Sequence, residues 1–275
     1  MSATNLGTVA ALHRYPVKSM MGEELNATRV GLKGFVGDRV FALADVETGK
    51  IASAKNPSKW PSLFRFRAAF AEPVNGAGAL PPARITFPDG STVSTTDAAI
   101  ATRLSATLGK PVRFLNSAPV AGTLEEYWPD IDGLARRDVV TEESMPAETF
   151  FDLGMIHLLT TATLDSFRVQ YPEGRFEPRR FRPNLVIQTA PDCQGYPEND
   201  WDNKVLAIGN EVKIKITGPC GRCVMTTLPQ GDLPKDAGIL KTAVRHNQAR
   251  VGAYAAVVQG GVIRAGDGVQ MLAEN

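Results

Sequence analysis

The chain has 275 residues, 43% of them hydrophobic and 21% charged, and its 30 Lys+Arg against 29 Asp+Glu leave a formal net charge of +1. That length suffices for a sizeable core in one large or two smaller domains, and the composition excludes a mostly disordered chain. The balanced charge argues against a nucleic-acid or membrane-surface partner, and three cysteines are too few for a disulfide framework or an all-cysteine iron–sulfur cluster.

The first residues hold no basic region followed by an apolar run, and no stretch nears the ~20 apolar residues that span a bilayer. The expectation is a cytoplasmic chain with neither leader nor membrane span. Thr8 to Tyr15 reads as a first strand, ended by Pro16. Lys18 and Ser19 then project a cation and a hydroxyl from a loop: two phosphate-binding groups side by side, or two solvated surface residues. Asp38 and Arg39 lead into a strand ending at Asp45, with a turn over Glu47 to Lys50 and a return strand Ile51 to Ala54. Arg39 is either a strand-end ion-pair residue or a second cation on the rim of Lys18. Phe64 to Phe70 reads as another strand. Arg84 to Phe87 and Ser91 to Ser94 flank Pro88-Asp89-Gly90 as a hairpin, and Thr96 to Leu108 forms a helix closed by Gly109. Residues 117–149, rich in Pro, Gly, Asp and Glu, read as a linker or a loop with a short helix. This divides the chain into units 1–116 and 117–275.

The second unit opens with an apolar strand, Ile156 to Leu159, and a helix capped by Thr160 or Thr161 that runs to Gln170. His157, inside the apolar run, reads as a core or edge histidine. Arg175, Arg179, Arg180 and Arg182 form the densest cationic cluster, either an anion site or a solvated loop. Strands follow at Leu185 to Ile187, Val205 to Ile208 and Glu211 to Thr217. Thr242 to Arg250 is helical or irregular, and strands at Val251 to Val258, Val262 to Arg264 and Val269 to Leu272 close the chain. Many short strands between Gly and Pro turns, with few helices, predict a mainly β fold with some α, a barrel or sandwich.

Gly218 and Pro219 break the Glu211 to Thr217 strand, and Cys220-Gly221-Arg222-Cys223 follows at once. The glycine lets a ligand approach the backbone, and the arginine favours a thiolate and can fork onto phosphate. The cysteines can be read as two small packed residues, as a redox pair, or as the source of a single thiolate for a soft transition metal. A zinc half-site lacks its second pair of ligands.

Tyr15-Pro16-Val17-Lys18-Ser19, Gly37-Asp38-Arg39, Phe181-Arg182-Pro183-Asn184 and Arg222-Cys223-Val224-Met225-Thr226-Thr227 together resemble the MOSC family, the molybdenum-cofactor sulfurase C-terminal domain. Val262 to Asp267 is alike too. The first two segments are similar to that family's N-terminal β-barrel domain and the others to its MOSC β-barrel domain. The whole looks like the amidoxime-reducing component and its bacterial counterparts. The resemblance implies a molybdenum–molybdopterin cofactor ligated by Cys223. Lys18, Ser19, Arg39, Arg182 and Asn184 match positions that hold the pterin and its phosphate. Gly221 and Arg222 flank the metal ligand, while Asp152, Leu153, Gly154 and Tyr254 match positions along the cofactor. The implied activity is reduction of small N-hydroxylated or N-oxide substrates, with electrons from a separate reductase and Asp152 relaying a proton. The alternative is a carrier of sulfur or cofactor that works through a cysteine persulfide. The chemistry agrees, since soft sulfur, hard phosphate and a polar ring need a thiolate, cations and amide-type groups.

Overall fold

Period-two alternation of apolar and polar side chains carries most of the chain into strands, and the computed structural model describes residues 3–76 and 78–273. The outer limits of the two expected units, residues 1 and 275, lie outside these. The first part supplies β1 (Thr4–Arg14), β2 (Glu23–Leu25), β3 (Ala27–Gly31), β4 (Gly34–Phe35), β5 (Ala42–Asp45), β6 (Arg67–Phe70), β7 (Ala83–Thr86), β8 (Thr92–Ser94), α1 (Ile100–Leu108) and β9 (Val112–Leu115). A hairpin of β10 (Thr123–Trp128) and β11 (Val139–Ser144) follows. The remainder supplies β12 (Ile156–Thr160), α2 (Thr161–Gln170), α3 (Pro178–Phe181), β13 (Leu185–Gln188), β14 (Val205–Ile208), β15 (Val212–Gly221), α4 (Ala237–Asn247), β16 (Arg250–Gln259), β17 (Gly261–Arg264) and β18 (Gly268–Met271).

Strand β1 pairs with β13 on one side and β18 on the other, so the order β13-β12-β16-β15-β14-β18-β1 closes on itself as a barrel. The fold is mainly β with some α, as expected. Closure leaves no open edge among these strands. Alternate side chains turn inward and fill the barrel: Leu12, Leu158, Leu185, Ile187, Leu206, Ile208, Ile214, Ile216 and Val269 share one buried cluster. The first strand thus belongs to the same sheet as the last.

A second core lies beside the barrel, built from Leu43, Trp60, Leu63, Phe66, Ile85 and Leu104. Met225, from the turn after the cysteines, is buried in this core, and Cys223 packs partly against it. The cysteine turn is therefore wedged where the barrel meets the N-terminal core.

Four local expectations change. Residues 117–149 carry the β10–β11 hairpin rather than a linker; its inward residues are Leu124 and Glu126, and a buried charge hides the alternation of a strand. Strand β15 does not stop at Gly218 and Pro219 but runs to Gly221, with irregularities in its register on β16 at Ile216/Gly218 and Pro219/Gly221. Such bulges accommodate a proline that lacks an N–H and a Gly218 at φ 139°. Leu63–Arg65 is a 3-10 turn ahead of β6, not part of a strand. The return strand Ile51 to Ala54 is reduced to isolated bridges from Ile51 to Ala44 and Leu124. Among the described residues, no helix is long and apolar enough to cross a membrane.

Candidate functional site

Where β1 ends and β13 begins, distant segments converge on one cavity. It is lined by every residue matched to a cofactor position: Lys18, Ser19, Arg39, Asp152, Leu153, Gly154, Arg182, Asn184, Gly221, Arg222, Cys223 and Tyr254. It also takes in Lys55, Phe151, His157, Phe181 and Met225.

Three of the polar residues sit in backbone conformations that L residues avoid: Ser19 at φ 61°, Arg39 at 49° and Arg182 at 55°. Each costs on the order of 1–2 kcal/mol and persists because neighbours fix it. Arg39 N donates to Tyr15 O at 2.8 Å, and Arg182 N donates to Pro178 O at 3.2 Å as the left-handed cap of α3. Ser19 Oγ accepts from Ala54 N at 3.1 Å. Strain held in this way is common at binding sites.

The cations are held individually. Lys18 is buried; its Nζ donates to Phe150 O at 2.8 Å and pairs with Asp152. Burial pulls the Lys18 ammonium below its usual range, against the opposing pull of Asp152. Arg39 pairs with buried Asp38, and Arg182 Nη1 donates to Met20 O at 2.6 Å. Both guanidinium groups lie against the ring of Tyr15, at 5.1 Å for Arg39 and 4.2 Å for Arg182. Phe151 flanks Arg39 at 5.6 Å and Phe64 flanks Arg182 at 5.2 Å. These aromatic faces stabilise desolvated guanidinium groups without neutralising them. Asn184 lines the cavity, but its amide mainly ties the walls together: Oδ1 accepts from His157 N at 3.1 Å and Nδ2 donates to Asp38 at 2.9 Å.

Lys55 is the cation that sequence reading missed. Its Nζ lies 2.9 Å from Glu126 and 3.7 Å from Asp152. The Glu126 partner comes from the hairpin that composition presented as a linker, so nothing in the local sequence marked the pair. Burial would raise the Asp152 carboxyl, but Lys18, Lys55 and Arg39 outweigh it and hold it well below the usual carboxylate range. Asp152 is therefore an ionised counter-charge between two lysines.

The two cysteines differ. Cys223 lines the cavity, and burial pushes its thiol up to about 11. Arg222, expected beside a ligand thiolate, gives Nη1 to Cys220 instead, at 2.8 Å, and Nη2 to Phe181 O at 2.8 Å. The arginine cluster divides by environment. Arg175 and Arg179 pair with Glu177 and Asp232 in solvent. Buried Arg180 donates to the carbonyls of Arg175, Thr226, Leu228 and Pro234, stapling α3 to the segment after Cys223. Arg182 alone reaches the cavity.

The charges are unbalanced in favour of an anion. Lys18, Lys55, Arg39, Arg182 and Arg222 face Asp152 in the cavity, with Asp38 and Glu126 behind it. Arg222 Nε is buried without a partner, and a Cβ built on Gly221 would meet nothing within 4 Å. Among the described residues, no cluster of three or more His, Cys, Asp or Glu could chelate a metal by itself. The donor set suits a ligand that brings its own metal ligands and an anionic tail, and that needs one protein sulfur.

One thiol set beside guanidinium and ammonium groups in a cavity against a β-barrel is a lining suited to an anionic ligand that takes a sulfur donor. Comparison with protein families agrees. The MOSC N-terminal beta barrel domain matches residues 6–106 and the MOSC domain matches residues 149–270, and the chain belongs to the MOSC family. Membership links it to molybdenum-cofactor enzymes and sulfurases. Among solved structures, the YuaD protein from Bacillus subtilis is similar over 100% of both chains at 11% identity, with a TM-score of 0.50, a likeness of fold. YiiM from Geobacillus stearothermophilus matches 44% of this chain and 55% of its own at 15% identity and a TM-score of 0.33. YiiM from Escherichia coli matches 44% and 56% at 14% identity and a TM-score of 0.33. No curated protein matches the sequence.

Proposed function

We propose that the cavity holds a molybdenum–molybdopterin cofactor and that the protein is a cytoplasmic reductase of small N-hydroxylated or N-oxide compounds, supplied with electrons by a separate reductase. One observation carries this reading: a single cavity unites the Cys223 thiol, a surplus of cations and an unspent buried donor at Arg222. When bound, such a cofactor supplies two-electron chemistry at its metal. Cys223 Sγ would hold the metal. Arg39, Arg182 and Arg222, with Lys18 and Ser19, would hold the phosphate and the polar edge of the pterin.

The other lining residues shape access. Leu153 is 68% exposed and presents an apolar surface to an entering substrate. Asp152 stands between Lys18 and Lys55 as an ionised acceptor. Being ionised at neutral pH, it would serve a proton relay only by taking up a proton in passing, not as a standing acid. Sulfur transfer is the second reading. It needs the same Cys223 thiolate that metal ligation needs, and the surplus of cations around the cavity, which suits a phosphate, favours the cofactor reading.

The test is to purify the protein from cells that make the cofactor, quantify bound molybdenum and pterin, and assay benzamidoxime reduction with a chemical electron donor. Cys223→Ala should abolish metal retention and turnover, while Cys220→Ala should have a smaller effect. Retained molybdenum without turnover would point to a cofactor carrier. A persulfide on Cys223 with no metal would point to sulfur transfer.

A further inference from the structure

Cys220 is buried, lies just behind the cavity lining, and has no part in the scheme above. Arg222 Nη1 donates to its sulfur at 2.8 Å, and Nη2 of the same guanidinium donates to Phe181 O at 2.8 Å. With both ends of the fork held, its plane is fixed, and Nε is left buried without a partner. His157 and Tyr254 both line the cavity and pack against each other, their ring centroids 5.9 Å apart. His157 Nε2 lies 3.0 Å from Val251 O. A carbonyl only accepts, so Nε2 carries a hydrogen there.

The surrounding chain is cut back to permit this arrangement. A Cβ on Gly154 would lie 2.6 Å from Tyr254 Cδ1, and one on Gly252 would lie 2.4 Å from His157 Nε2. We infer that Cys220 is a positioning residue: from behind the cavity lining its sulfur fixes Arg222, so that the unspent Arg222 Nε meets an anionic oxygen of the bound ligand. Burial alone would raise the Cys220 thiol, but Arg222, His157 and Tyr254 outweigh it and bring it down to about 6. A negatively charged sulfur strengthens its bond to the Arg222 guanidinium.

This inference rests on the anion-binding reading of the cavity, and the experiment separates the two. Inorganic sulfate, which does not titrate near neutrality, is the probe. Its affinity is measured by calorimetry at low ionic strength for the wild-type protein, Cys220→Ala, Cys220→Ser, Arg222→Gln and the double variant Cys220→Ala/Arg222→Gln. Losing a charged hydrogen-bond donor or its orientation is expected to weaken binding about tenfold in Arg222→Gln and in Cys220→Ala. Cys220→Ser, close to alanine in volume but still an acceptor, should lose only about threefold. The double variant should bind no more weakly than Arg222→Gln alone, because the sulfur acts through the arginine.

Equal affinities for Cys220→Ala and wild type overturn the proposal. So does a Cys220→Ala loss that is undiminished in the Arg222→Gln background, which is the mark of general packing. Should Cys220→Ala fail to fold, the same cycle with Cys220→Ser decides. Unchanged binding by Arg222→Gln, or no sulfate binding by the wild type, sinks the anion-site reading itself and the proposal with it.

Discussion

Asp152→Asn should destabilise the unliganded protein and at the same time make its cavity a better anion site. In the folded chain Asp152 offsets Lys18 and Lys55. Lys18 is only 4% exposed, and without the carboxylate its ammonium keeps the Phe150 carbonyl at 2.8 Å. Stranding one charge of a buried pair costs about 3–5 kcal/mol. The carboxylate is 28% exposed, and screening brings the cost to about 2–3 kcal/mol. Lys18→Met should cost less, about 1 kcal/mol, because Asp152 keeps water and Lys55 at 3.7 Å.

Binding moves the other way. A charge about 6 Å from a bound anion contributes roughly 3 kcal/mol at an effective dielectric of about 20. Salt reduces this to about 1–2 kcal/mol, near a tenfold gain in sulfate affinity for Asp152→Asn. Lys18→Met should lose affinity. Urea denaturation and calorimetric titration on the same preparations read both quantities. Weaker sulfate binding in Asp152→Asn would refute the reasoning, since it would make Asp152 part of the ligand's support rather than a counter-charge. The pH profile adds a check of sign. The Asp152 carboxyl sits below its ordinary value of 3.8, so its stabilisation is full above that pH and fades as acid protonates it. The stability gap between wild type and Asp152→Asn should therefore close in acid.

Glu198 should show the opposite sign. It is buried and accepts from Thr160 Oγ1 at 2.7 Å and Thr163 Oγ1 at 2.8 Å, and burial raises its pKa above 4.5. Its contribution is full below that value and is lost as pH rises through the raised pKa. Glu198→Gln should flatten the fall of the thermal midpoint as pH rises above 4.5. An unchanged slope would show that the carboxyl ionises freely in the fold. Lys55→Met strands buried Glu126 and should cost about 2–3 kcal/mol, whereas Lys55→Met/Glu126→Gln should recover most of it. Failure of the double variant to recover, measured by urea denaturation, would show that Lys55 acts elsewhere.

The residues legible in the sequence were those set in recognisable turns. Lys18 and Ser19 follow Pro16, Arg182 follows Pro178, and Cys223 follows a bulged strand end. What stayed hidden depends on pairings between distant segments. Lys55 faces the cavity because Glu126, 71 positions away along the chain, anchors it, and the strand carrying Glu126 turns a charge inward where a hydrophobic residue would announce a strand. Strand β15 passes through Gly218 and Pro219 because Tyr254 and Ala253 pair opposite them, a contact no local pattern encodes. Among the arginines, composition could not separate Arg182 from Arg175 and Arg179, since Asp232, their solvent partner, lies far along the chain.

Why Arg39 and Arg182 can share a wall is answered by Tyr15. Two guanidinium groups in a buried cavity repel, and burial holds Arg182 down to about 10. The Tyr15 ring presents its π surface to both, while its hydroxyl donates to Pro183 O at 3.2 Å and burial keeps the phenol neutral, up to about 12. Asp38 accepts from Tyr15 N at 2.7 Å and pairs with Arg39, so one carboxylate fixes both the aromatic residue and a cation. Tyr15 and Asp38 come from the N-terminal segments, Arg182 and Asn184 from the link between α3 and β13, and the barrel closes only because β1 and β13 pair. The closure that completes the core is thus the same event that brings the two cations together, so the anion site exists only in the closed barrel.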